Sequence, residues 1–207
     1  MYGYRCDNPF GIHEDNDQQP TMLYGHHKVA VEQYLNTESA NYPATHTAII
    51  RPTAIAGPQG QTLSPLRGLT AHKFFLLSNG GQARTQAIHE QDMAALIGRV
   101  IEGQVAGTYN AAPDDYATWA EIGKLSGLPT VSLPRSLLNL ATRLNTVLPA
   151  LDGFTRDVVD LLSETLVCDN SAARNHLGWS PHYTTKEAFA ALFGASVNSR
   201  ELSNISG

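Results

Sequence analysis

Thr47-Ala48-Ile49-Ile50 is apolar without a break, the pattern of a strand covered on both faces. A helical pattern precedes it. From about Met22 to Glu38 the apolar residues Leu23, Ala30, Val31, Tyr34 and Leu35 recur close to every 3.6 positions and form one stripe. Arg51-Pro52 ends the strand, and Pro58-Gln59-Gly60 opens a loop. Leu63 to Leu77 has room for another helix, and Thr85 to Ile88 for a short strand. Asp92 then caps a helix whose Met93, Leu96, Ile97, Val100 and Ile101 share one face, and Gly103 stops it. Gly107-Thr108-Tyr109-Asn110-Ala111 reads as one more strand. Helices alternating with strands argue for a parallel sheet.

Beyond Pro113 the pattern turns helical. Thr118-Trp119-Ala120-Glu121 and Thr184-Thr185-Lys186-Glu187 both have the spacing of a capping box. Pro134 suits the first position of a leucine-rich helix through Leu148. Ahead of everything, Asp7 to Pro20 is polar and turn-rich and reads as a surface loop. The expected architecture is α/β: a parallel sheet with a helical lobe appended. The sheet would use about 1–58 and 85–111, and the lobe about 59–84 and 112–207.

Composition narrows the function. Of 207 residues, 42% are hydrophobic and 16% charged, which fits a folded protein rather than a disordered one. A net charge of −5 gives no electrostatic case for a nucleic acid or an acidic membrane surface. Cys6 and Cys168 are far apart and lack metal-ligand spacing, which fits a reduced, cytoplasmic compartment. No metal centre is expected. His26 and His27 diverge on a helix, and Met93 stands where a zinc-protease pattern starting at His89-Glu90 needs its second histidine. Trp119 and Trp179 are expected to pack in the core. Ser64, Ser126 and Ser163 lack the context of a hydrolase nucleophile.

The chemistry lies in Tyr24-Gly25-His26-His27-Lys28. On a helix, positions four apart share a face, so the phenol and the ammonium can approach each other. A free tyrosine titrates near about 10 and is a poor base at neutral pH, and a neighbouring cation favours its phenolate. Such a pair can move a proton to or from a substrate hydroxyl or carbonyl.

Further motifs follow in order: Tyr2-Gly3, Glu14-Asp15, Glu32, Arg51-Pro52-Thr53, Gly57-Pro58, Gln86 to Ala94, Gly107 to Ala111, and Leu177-Gly178-Trp179-Ser180-Pro181. The succession, from about Tyr2 to Phe189, resembles the extended short-chain dehydrogenase/reductase family, in its NAD-dependent epimerase/dehydratase branch. The resemblance implies an NAD(P)-dependent oxidoreductase, epimerase or dehydratase acting on a hydroxyl- or keto-bearing small molecule such as a nucleotide sugar. It implies Tyr24 as the catalytic acid/base. Lys28 would support it and bond the nicotinamide ribose. Pro52 and Thr53 would line the nicotinamide pocket. The loop from Gly57 to Leu66, with Arg84 and Gln86, would face substrate, while Asp92 would cap its helix. The cofactor would be NAD or NADP, and a homodimer would form through the Tyr24 helix.

Two departures shape the expectation further. The family's glycine-rich phosphate loop has no counterpart, since Gly57 to Gly60 and Gly80-Gly81 lack its spacing and context. The family's catalytic serine or threonine also lacks one, because Thr21 is the sole such residue between Met1 and Tyr24. The resemblance therefore implies that the 207 residues are an N-terminally truncated unit, inactive as it stands, with the C-terminal portion of an incomplete Rossmann-like parallel sheet and a mostly helical substrate lobe. The alternative is a non-enzymatic short product that serves as a subunit partner without binding cofactor.

Overall fold

The computed structural model describes residues 10–59, 73–144 and 155–194. Helix α1 (Leu23–Ser39) leads into strand β1 (Ala48–Pro52), followed by β2 (Ala54–Ala56), β3 (Phe75–Ser78), β4 (Arg84–Thr85) and β5 (Ala87–His89). Helix α2 (Glu90–Gly103) and strand β6 (Gly107–Ala111) complete the first part. The rest is β7 (Ala117–Thr118), α3 (Trp119–Leu125), β8 (Thr130–Leu133), α4 (Arg135–Leu144), α5 (Arg156–Ser163), α6 (Ser171–Leu177) and α7 (Thr185–Phe193).

The strand pairs are predominantly parallel. β1 lies beside β6, with Ile49 opposite Thr108 and Arg51 opposite Asn110. β2 pairs with β5 and β3 with β8, both in parallel, whereas β4 and β7 run antiparallel. A parallel pair needs a crossover, and α2 is part of the one joining β1 to β6. The chain is therefore α/β with parallel strand pairs and a helix-rich second half.

Two cores meet at β5. Ala87 packs with Phe75, Trp119, Ile122, Leu162 and Phe189. Its neighbour Ile88 packs with Leu96, Tyr109, Ala173 and Trp179. Successive side chains of a strand point to opposite faces, so one strand anchors both cores. The strand buried at every position is thus β5, not β1, which alternates between buried and half-buried residues.

Several local expectations hold. In both capping boxes the threonine hydroxyl accepts from the N–H three residues on, and the glutamate returns to the threonine N–H at 2.8 Å. Each box ties up two N–H groups that would otherwise lack a helical partner. Trp119 Nε1 donates to the Leu161 carbonyl and Trp179 Nε1 to the Asp92 carbonyl, so both indoles are core residues.

Other expectations do not hold. Phe75 to Leu77, the end of the stretch given room for a helix, belongs with Ser78 to β3, because a short apolar run fits a strand beside β8; residues 60–72 lie outside the described residues. Thr85 to Ile88 is split at Gln86 into β4 and β5. Two strands, β7 and β8, interrupt the stretch read as helical. The leucine-rich helix starts at Arg135, one residue after Pro134, and its continuation beyond 144 is outside the described residues.

Helix α1 forms where expected, and its apolar stripe faces outward: Leu23, Ala30, Val31, Tyr34 and Leu35 are all exposed, and the buried residues are Gly25 and Glu32. The cause is electrostatic. Arg51 of β1 is buried beneath the helix, and a buried cation demands a partner. The helix turns its carboxylate inward and leaves its apolar stripe on the surface.

Candidate functional site

Arg51 and Glu32 set the position of α1. The Arg51 guanidinium reaches the Glu32 carboxylate through Nε at 3.1 and 3.2 Å and through Nη2 at 2.7 Å. Its Nη1 donates to the Glu14 carbonyl, and Gln18 Nε2 donates to Glu32. Both ion-pair partners are nearly sealed from solvent. A buried pair is tolerated when its remaining donors and acceptors are also used, as they are here.

This clamp places the Tyr24–Lys28 pair. Arg51 lies next to the carboxyl end of β1. The C-terminal part of α1 sits beside the start of β1, where Tyr34, Leu35, Glu38, Ser39, Thr45 and Thr47 line one concavity. The helix therefore runs antiparallel to the strand. Lys28 and Tyr24 come one and two turns before Glu32, about 6 and 12 Å further along the axis. They project past the carboxyl end of β1. In open α/β sheets ligands bind at that end of the strands.

The pair itself is in contact. Lys28 Nζ lies 5.4 Å from the centroid of the Tyr24 ring, so the ammonium sits over the ring. Tyr24 is 59% exposed and Lys28 is partly buried. Gly25, one position on, is buried.

Pro52 and Thr53 follow at the end of β1. Pro52 is in register with Ala111. Thr53 is buried, and its N–H and hydroxyl both go to the Ala111 carbonyl, at 3.0 and 3.4 Å. The two carboxyl ends of β1 and β6 are thereby tied together. Beyond them, the Glu90 carboxylate accepts from Gln59 N at 3.0 Å and packs so tightly on Gly57 that a Cβ there would lie 2.6 Å from its Cδ. This holds the start of the loop expected to face substrate, whose residues 60–66 lie outside the described residues.

The two remaining expected contacts separate. Arg84 is exposed and available to a ligand. Gln86 is buried. Its Nε2 donates to the carbonyls of Pro113, Asp115 and Cys168, and its Oε1 accepts from Cys168 N at 2.7 Å. The amide is spent on backbone groups, so the structure gives Gln86 a bracing position rather than a substrate-facing one. Asp92 also differs from expectation. His89 is the helix cap, its Nδ1 accepting from Gln91 N. The buried Asp92 carboxylate instead accepts from the backbone N–H groups of His182 and Tyr183, at 3.0 Å each.

The segment read as a surface loop has a role that patterning missed. Ile12 is fully buried and bridges Cys168, Glu14 accepts from Asn110 N at 2.7 Å, and Gln18 reaches Glu32. Residues 12–18 strap the end of the sheet to α1. The signal was present in Glu14 and Ile12, but nothing local distinguishes them from other turn residues.

The carboxyl groups with shifted titration are in the second half and against this strap. Burial pushes Asp115 above the usual carboxylate range, against the opposing bonds from Thr185. Burial also acts upward on Asp169, but the Ser171 hydroxyl and N–H outweigh it and hold the group low.

Chains of known structure share this fold. The chain superposes on RMD from Pseudomonas aeruginosa, solved with NADPH, with a TM-score of 0.65 and 16% identity over 93% of this chain and 62% of that one. UDP-glucose 4-epimerase from Bifidobacterium longum, solved with NAD+ and UDP, gives 0.66 and 18% over 92% and 59%. The dTDP-glucose 4,6-dehydratase from Bacillus anthracis, solved with NAD, gives 0.63 and 16% over 93% and 57%. The fold is that of the extended short-chain dehydrogenase/reductases. Uncharacterized proteins of Mycobacterium tuberculosis and Mycobacterium bovis are 28% identical over 200 residues, which is 93% of this chain and 51% of each relative. The chain thus spans about half the length of the curated relatives it matches. No family model matches it. Among the described residues, no helix is long and apolar enough to cross a membrane.

Proposed function

We propose that the chain supplies the proton-transfer half of an NAD(P)-dependent epimerase, dehydratase or dehydrogenase that acts on a hydroxyl- or keto-bearing small molecule, a nucleotide sugar in particular. The observation that carries this reading is the Lys28 ammonium seated over the Tyr24 ring, beyond the carboxyl ends of β1 and β6. The substrate class is suggested by the nucleotide-sugar names of the similar structures.

The residues present fit one end of a dinucleotide. Lys28 has the charge and the three donors for a ribose, and Pro52 and Thr53 form a wall that the bonds between β1 and β6 keep in place. A nicotinamide, when bound, supplies or accepts hydride. This chain's contribution is the proton. Tyr24 Oη gives one to a substrate carbonyl or takes one from a hydroxyl, and the Lys28 ammonium places a positive charge against the Tyr24 ring. The buried Glu32–Arg51 clamp keeps the turn that carries both residues fixed, which general acid–base catalysis needs.

The test is turnover of a reduced nicotinamide with keto nucleotide sugars, and of an oxidised nicotinamide with hydroxyl-bearing ones, comparing wild type with Tyr24→Phe. Loss of turnover with unchanged cofactor affinity supports the assignment. Equal turnover in the variant removes Tyr24 from the mechanism.

A second reading draws on the exposed α1 stripe of Leu23, Val31, Tyr34 and Leu35. It is a surface on which a second copy of this chain would pack, so that the protein acts through assembly rather than catalysis. Sedimentation of wild type and Val31→Asp distinguishes it: a dimer broken by the substitution favours this reading, and a wild-type monomer at high concentration opposes it.

A further inference from the structure

Asn79-Gly80 is the single asparagine–glycine pair of the sequence, and it sits in an exposed turn between β3 and β4. Asn79, Gly80 and Gly81 all have positive φ, at 48°, 78° and 71°. Glycine and asparagine enter that region more readily than other residues. Three neighbouring elements then hold the turn. The Gly80 N–H donates to Ser132 Oγ of β8 at 2.8 Å. Asn79 Oδ1 accepts from the N–H of Arg135, the first residue of α4, at 3.1 Å. Gly81 lies against α3, where a Cβ would stand 2.7 Å from Ala120 N.

These contacts bear on a reaction that needs only water. With no side chain to screen it, the glycine nitrogen of such a pair can attack the asparagine side-chain carbon. A bond forms between Gly80 N and Asn79 Cγ, and the bond from Cγ to Nδ2 breaks. Nδ2 leaves as ammonia, and hydroxide takes up the proton that Gly80 N gives away and returns it through water to the leaving nitrogen. Water then opens the cyclic imide at one of its two carbonyls, which leaves aspartate or isoaspartate. The two hydrogen bonds act on this reaction in opposite senses. Oδ1 becomes negative as Cγ turns tetrahedral, and the Arg135 N–H already points at it from the positive end of a helix. Ser132 Oγ holds the proton that Gly80 N must lose before it can attack, and fixes the nitrogen in place.

We propose that Asn79 is a spontaneous deamidation site of the folded protein, primed by the Arg135 N–H and restrained by the Ser132 hydroxyl. Aspartate at this position keeps an oxygen for Arg135 N and places a negative charge at the N-terminus of α4, where the helix favours one. Isoaspartate adds a main-chain atom to a turn that has no room to spare at Gly81. The proposal is independent of the Tyr24–Lys28 reading.

Peptide mapping by mass spectrometry, on the intact chain held at pH 8 and sampled over days, tests this by reading conversion at every asparagine. The chains compared are wild type, Ser132→Ala and Ser132→Thr, each checked for native circular dichroism. Conversion in the folded wild type is expected at Asn79 ahead of the other asparagines. Ser132→Ala is expected to convert about fivefold faster, the factor that corresponds to one hydrogen bond of ordinary net strength. Ser132→Thr keeps the hydroxyl and is expected to convert at the wild-type rate. Equal rates in wild type and Ser132→Ala overturn the proposal, and so does conversion that occurs only after the chain is unfolded in urea, or none at all. Should Ser132→Ala lose its native circular dichroism, Ser132→Cys, whose sulfur accepts only weakly, takes its place, and a rate equal to the wild type's overturns the proposal in the same way. No cofactor or substrate is used, so failure here is distinct from failure of Tyr24 in turnover.

Discussion

The Arg51 guanidinium meets the Glu32 carboxylate at 2.7 Å with both side chains almost fully buried, and this contact decides which face of α1 the protein covers. It links residues 19 apart in sequence. Removing one partner leaves the other charged and unpaired in the interior. Glu32→Ala is therefore expected to cost about 3–5 kcal/mol of stability, read from urea unfolding. Val31→Ser, on the outward stripe, is expected to change it by no more than about 0.5 kcal/mol. The reverse order would mean that the helix buries its apolar stripe after all.

Gln86 separates bracing from binding. Its amide serves three carbonyls and one N–H. Gln86→Leu keeps much of the volume and removes every bond, so a loss of at least about 2 kcal/mol is expected in denaturant unfolding. A fully stable Gln86→Leu with weakened ligand binding would return Gln86 to the substrate-facing role its neighbourhood suggested.

Asp115 gives the stability a characteristic pH dependence. Burial raises its pKa above the ordinary range in the folded state, so between the ordinary value and the raised one the folded chain binds more protons than the unfolded chain. Stability then falls as pH rises through that window. Asp169 acts in the opposite sense and in a lower window: its depressed pKa adds stability present above the ordinary value and lost as pH falls through the folded one. Asp115→Asn keeps an oxygen for the Thr185 N–H and removes the titration. Urea midpoints measured from pH 4 to pH 7 should lose their decline in this variant. A decline that persists assigns it to another group.

Much of the fold could be read locally, and the exceptions share a cause. Strand β6 and both capping boxes are written in adjacent residues, and they formed as expected. The spacing of Tyr24 and Lys28 was also visible, since positions four apart on a helix must share a face. Periodicity shows that α1 has an apolar face but not what lies against it. That depended on Arg51, in the following strand. Gln86 and Asp92 failed for the same reason: their partners, Cys168 for one and His182 and Tyr183 for the other, are 82 to 91 residues away. The strap of Ile12, Glu14 and Gln18 is polar and turn-rich in sequence and becomes structural only once Asn110 and Glu32 are brought to it.

Whether Lys28 and Tyr24 form a nicotinamide-side proton-transfer pair is decided most directly by a fluorescence titration of the chain with reduced nicotinamide mononucleotide and with NADPH, on wild type, Lys28→Met and Tyr24→Phe. Binding should weaken about tenfold in Lys28→Met and change little in Tyr24→Phe. Binding that ignores Lys28, or no binding of either ligand, would contradict the pair's proposed role.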